Sequence, residues 1–148
     1  MAREAYFQQL IEDLTDVLYD DHGIGAKYRM TLVGVPYFEK KYKERINFDT
    51  IEETLKEVYL ILKEEEIISD AEYTLDGNVL EVTIHSSVHL PMYKNLLPLH
   101  KSIFWSPCIN VIMYYIDKLI GKESEFLKMD IDGNTCNATI VLMSTTED

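Results

Sequence analysis

The sequence predicts an α+β fold: an antiparallel sheet of about four strands, made of two hairpins and covered by helices. Three observations predict it. Apolar residues recur at steps of three and four in the first third of the chain. The period then switches to two, from Ala71 to Ile84. An Asp-Gly turn interrupts this stretch and another joins Phe126–Ile131 to Cys136–Met143, with a helix start between the two hairpins. Helices, hairpin, helix, hairpin is the segregated order of an α+β domain.

The first element is helical. Tyr6, Phe7, Leu10, Ile11, Leu14, Val17 and Leu18 form one apolar stripe, read as core packing, and Gly23 follows Asp20-Asp21-His22 as a C-terminal stop. A second helix is expected from about Gly25, broken or bent near Gly34 and Pro36. Lys40, Lys41, Lys43 and Arg45 form a basic cluster at its end, facing the negative end of the helix dipole. A third helix is capped by Asp49 with Glu52 three residues on. It runs through Ile51, Leu55, Val58, Tyr59 and Leu62, and Lys63-Glu64-Glu65-Glu66 closes it.

The first hairpin pairs Ala71, Tyr73 and Leu75 with Leu80, Val82 and Ile84 around Asp76-Gly77. From His85 to Trp105, with Pro91 and Pro98, the chain reads as irregular. Ser106 at N-cap and Pro107 at N1 open a helix through Ile109, Ile112, Met113 and Ile116, ended by Gly121. The closing hairpin joins Phe126–Ile131 to Cys136–Met143 across Asp132-Gly133-Asn134-Thr135.

Length and composition agree with one domain over residues 1–148. The apolar fraction of 47% suffices for a core. Lys and Arg number 14 against 26 Asp and Glu, a net charge of −12, which argues against nucleic acid or an anionic membrane surface as partner. The N-terminus has no apolar segment of a signal peptide. The longest apolar runs, Val58–Leu62 and Val111–Ile116, fall far short of the ~20 residues of a membrane span. A soluble, cytoplasmic protein is expected, its two cysteines reduced.

The most unusual stretch is acid-poor and runs from His85 to Met113. Three of the 4 histidines fall here, beside the single Trp. Histidine titrates near neutral pH and is the commonest transition-metal ligand, and tyrosine suits a semi-polar pocket. The candidate ligand-binding residues are His85, His89, Tyr93, His100, Phe104, Trp105 and Met113. Read singly, each histidine fits a surface or core role as well. His85 and His89 do not form a helical zinc-protease motif. The cysteines, Cys108 and Cys136, show no Cys-x-x-Cys spacing and read as small buried hydrophobes. Cys108 lies in the first turn of a helix, where a thiol pKa falls, but no base stands at a diagnostic spacing. No Gly-rich phosphate loop, Gly-x-Ser-x-Gly elbow or paired-carboxylate motif is present, so no catalytic residue is assigned.

From Asp49 to Met143 the order of elements resembles the 4-vinyl reductase domain family. It is also similar to the sensor domains of phenol-responsive bacterial activators and to the transport-particle (TRAPP) subunits of vesicle tethering. The residues that carry the resemblance are the Asp76-Gly77 hairpin, Ser106-Pro107-Cys108 at a helix start, and the closing Asp132-Gly133-Asn134-Thr135-Cys136-Asn137-Ala138. It implies a module that encloses a small apolar or aromatic molecule between helices and sheet, commonly as a homodimer. It also implies a zinc site, with Cys108, Glu125 and Cys136 in ligand positions. Lys128 stands where the fourth ligand would be a cysteine; a histidine such as His85 or His89 would have to replace it. Three functions follow: a binding or sensing domain, a reductase acting on a tetrapyrrole-like substrate, or a dimeric interaction protein whose first-helix stripe is the interface.

Overall fold

The computed structural model describes residues 2–23, 25, 30–100, 103 and 105–143. Helix α1 spans Ala2–His22, α2 Val35–Tyr42, and α3 Ile51–Glu64. Strands β1 (Asp70–Asp76) and β2 (Val79–His85) follow, then α4 (Leu90–His100) and α5 (Pro107–Tyr115). A π-helical turn, Ile116–Ile120, extends α5 before β3 (Glu123–Asp132) and β4 (Thr135–Met143). The α+β class and the two antiparallel hairpins are as the sequence predicts.

The four strands lie in the order β1-β2-β4-β3, so the hairpins join through β2 and β4. Register places Leu80 opposite Ile140, Val82 opposite Ala138 and Ile84 opposite Cys136. All six are buried, which makes this the core face of the sheet. Phe126 and Met129 continue that face on β3. Helices α3 and α5 cover it, burying Leu55, Val58, Leu62, Ile109 and Ile112. Alternate residues Glu72, Glu81, Thr83, His85, Asn137 and Lys128 point to the other, polar face. Both hairpins turn on the same tripeptide. Gly77 (φ 63°) and Gly133 (φ 62°) take the left-handed position of two-residue loops, each between an Asp and an Asn.

Four expectations change. Of the segment expected to form a helix from about Gly25, residues 26–29 lie outside the described residues and 30–34 form a bend and turn, so α2 begins only at Val35. Pro36 starts this helix rather than bending it, because a proline in the first turn sacrifices no intrahelical bond. Gly34 (φ 97°) is required there, since a Cβ would come within 3.2 Å of Pro107 Cβ. Thr50, not Asp49, caps α3: its hydroxyl accepts from Glu53 N–H at 3.1 Å and donates to Glu53 Oε1 at 3.1 Å.

The stretch read as irregular holds α4. Pro91 falls in its first turn, where no intrahelical N–H bond is lost, whereas Pro98 lies inside the helix and removes the N–H that would reach the Lys94 carbonyl, two residues before the helix ends. Ser106 caps α5 as the sequence predicts, accepting from Ile109 N–H. The stripe on α1 is the fourth change. Ile11, Leu18 and Tyr19 pack against the core, but Phe7, Leu10, Leu14 and Val17 are exposed, so the helix carries apolar residues on two sides. Among the described residues, no helix is long and apolar enough to cross a membrane.

Candidate functional site

The chain leaves β2 through Ser86, a non-glycine residue held at φ 55°. The next residue, Ser87, organises the entry to α4. Its carbonyl accepts from Leu90 N–H at 3.1 Å and its hydroxyl from His89 N–H at 3.0 Å. Helix α1 crosses this corner. Gln8 donates from Nε2 to the Val88 carbonyl at 3.0 Å, and Asn95 Nδ2 donates to the nearly buried Glu12 carboxylate at 3.1 Å. Trp105 Nε1 donates to Thr15 Oγ1 at 3.2 Å, and Thr15 passes the chain on to the Ile11 carbonyl at 2.8 Å. Three side-chain bonds therefore fasten α1 to the rest of the fold along one side.

Two adjoining grooves open at this corner. One, of about 510 Å³, runs between α1 and α4 and is lined by Gln8, Glu12, Ser87, Val88, Pro91 and Asn95, with Glu4, Ala5 and Gln9 at its α1 side. The other, of about 480 Å³, shares Ser87, Pro91 and Asn95 and extends over Ser86, Leu90, Lys94 and Asn134. In the first groove Gln8 Oε1 is buried and has no hydrogen-bond partner. A buried acceptor without a donor is costly, by roughly 1–3 kcal/mol.

Beneath the grooves lies a chain of buried hydroxyls. Tyr93 Oη and Ser106 Oγ are 2.7 Å apart, and Ser87 lies beside the phenol. Desolvation raises the Tyr93 phenol well above its ordinary pKa. His89 packs beside it, ring centroids 6.3 Å apart, and burial pushes its imidazole down to about 4. Burial also pushes the Cys108 thiol up to about 12 and the Cys136 thiol up to about 11. At neutral pH all four groups are uncharged. They can hydrogen-bond and shape a pocket wall, but they supply neither a thiolate nor an imidazolium.

The predicted ligand-binding residues divide among several places. Tyr93, His89 and Trp105 come together under the α1–α4 corner, Trp105 buried and bonded to α1. His85 is at the end of β2 on the polar sheet face, within 3.1 Å of Glu72 Oε1 and 3.3 Å of Thr135 Oγ1. Met113 lines a different groove of about 300 Å³, with Asn110, Tyr114 and Glu123. Phe104 and the side chain of His100 lie outside the described residues. Sequence reading missed Gln8, Glu12 and Asn95. Their bonds join positions 80 and 83 residues apart, and no local pattern announces them.

No protein-family model matches the chain, and no curated protein does.

The zinc set that the resemblance implies does not fit this structure. Cys136 opposes Ile84 on the core face, whereas Glu125 pairs with Val141, five positions along β4 or about 17 Å away. Its neighbour Phe126 takes the buried side, so Glu125 points to the opposite face from both thiols. Lys128 is exposed and paired with Asp130 at 3.3 Å. Among the described residues, no three His, Cys, Asp or Glu side chains are placed to hold a metal ion. Two buried thiols alone do not complete a four-coordinate zinc site.

Proposed function

We propose that this domain binds, and thereby senses, a small molecule in the groove between α1 and α4. The observation that carries the reading is the buried, unpartnered Oε1 of Gln8, a residue that lines that groove together with Glu12. Both are acceptors, so the molecule would bring a hydrogen-bond donor. Val88, Pro91 and Ala5 offer it apolar contact. An aromatic molecule bearing a hydroxyl or amine meets both demands, in keeping with the resemblance to phenol-sensor domains. Binding is favoured over catalysis because the ionisable groups under the groove are held neutral. Two unpaired, buried thiols accord with a reducing compartment such as the cytoplasm.

The test is an NMR titration of the isotope-labelled protein with phenol and benzylamine, and with toluene as the probe that lacks a donor. Phenol or benzylamine should shift the amides of Gln8, Ser87 and Asn95 more strongly than toluene. Gln8→Leu and Glu12→Gln should each weaken binding by roughly fivefold or more, the loss of one buried acceptor. The proposal fails if no probe shifts these amides at millimolar concentration, or if both variants bind as tightly as the parent.

A second reading, a homodimeric interaction protein, rests on a separate observation: the exposed apolar side of α1.

A further inference from the structure

The structure assigns a partner to the exposed side of α1: the same helix of a second copy of this chain, running antiparallel. The inference deepens the homodimeric reading and rests on it.

Helix α1 has two different sides. Gln8, Glu12 and Thr15 fasten one of them to the Val88 carbonyl, Asn95 and Trp105. On the other side Phe7 is 55% exposed, Leu10 38%, Leu14 63% and Val17 58%. These four positions are spaced three, four and three apart. That is the a/d spacing of a helix seam, in register a-d-a-d. Scattered exposed hydrophobes need no explanation, but a heptad row of them on a solvent-facing helix side does. With Tyr6 (60% exposed) the row presents on the order of 500 Å² of apolar surface per copy. Two copies would bury on the order of 1,000 Å², the threshold for a specific interface.

The orientation follows from the ends of the row. One heptad step before Leu10 is Arg3, and one step after Leu14 is Asp21, both exposed. In an antiparallel pair Leu10 meets the second copy's Leu14, and Phe7 its Val17. Arg3 then meets its Asp21 at both ends of the seam. A parallel pair would stack Arg3 on Arg3 and Asp21 on Asp21, like charges at the same layers. The unlike ends favour the antiparallel arrangement over the parallel one. None of these seam residues lines either groove at the α1–α4 corner.

The test is sedimentation of the full chain across a concentration series. The parent should be a dimer at micromolar concentration. Leu14→Glu should weaken it by about 100-fold or more while the circular dichroism spectrum stays that of the parent. Arg3→Asp places like charges at both ends and should weaken the dimer by about tenfold. Asp21→Arg added to it restores unlike pairs and should recover most of that loss. A parent that stays monomeric at about 100 µM, where even a weak contact would be half formed, overturns both the homodimeric reading and the seam. A dimer insensitive to Leu14→Glu removes the seam and leaves the homodimeric reading to another surface. A dimer that Leu14→Glu disrupts, but in which Asp21→Arg fails to rescue Arg3→Asp, overturns the antiparallel register.

Discussion

Removing the hydroxyl of Tyr93 should cost little, and the reason is legible in its partners. Tyr93 Oη bonds Ser106 Oγ at 2.7 Å in a fully buried setting. After Tyr93→Phe, Ser106 still accepts from Ile109 N–H and Ser87 still accepts from His89 N–H. Neither hydroxyl is orphaned, so the expected loss is one net hydrogen bond, about 1 kcal/mol. Ser106→Ala removes that same bond together with the N-cap of α5, about 2 kcal/mol in total. In the double variant the shared bond is lost only once, so it too should cost about 2 kcal/mol. The coupling is then about 1 kcal/mol. For 148 residues the unfolding entropy near the midpoint is about 0.3 kcal/mol/K, so each kcal/mol lowers Tm by about 3 °C. Urea denaturation of the four proteins reads the cycle. Strict additivity, a double variant near 3 kcal/mol, would refute the argument, because it would mean that the two hydroxyls contribute independently.

Two further outcomes follow from the buried titratable groups. His89 is held near 4 by burial, below its unfolded value of about 6.5, so the unfolded chain binds the extra proton first as pH falls. Its contribution is complete above pH 6.5 and should drain away between about 6.5 and 4, by about 3 kcal/mol. Comparing ΔG against pH for the parent and His89→Gln tests this, and parallel curves would count against it. Cys108 and Cys136, both buried with raised pKa values, should resist iodoacetamide at pH 8 in the native state and react together on denaturation. Rapid native labelling of either thiol would contradict the burial.

What the sequence discloses about this fold is what is decided locally. Asp76-Gly77-Asn78 and Asp132-Gly133-Asn134 each need one left-handed residue, and glycine marks it, so both hairpins are readable within four residues. Ser106-Pro107 announces α5 for the same reason. Helix α4 escapes notice because its two prolines resemble helix breakers, although Pro91 sits harmlessly in the first turn and Pro98 costs a bond only two residues before the end. The two-sidedness of α1 is hidden because periodicity reports that apolar residues share an arc and not what covers it. The polar groove is the least legible feature. Gln8, Glu12 and Asn95 are ordinary surface residues until tertiary packing brings α1 across α4. Glu125 shows the reverse failure: a residue plausible by sequence position is carried to the wrong face by strand alternation.

The bond from Trp105 to Thr15 has an optical consequence. The chain has 1 Trp, and its indole N–H is tied to α1 from a buried position. Any excursion in which α1 lifts away would break that bond and admit water to the ring while the sheet, which begins only at Asp70 after two further helices, stays folded. The protein thus contains an intrinsic fluorophore wired to a single helix. A red shift of its emission that precedes the loss of β-sheet circular dichroism would time the departure of α1 separately from global unfolding, with no label added.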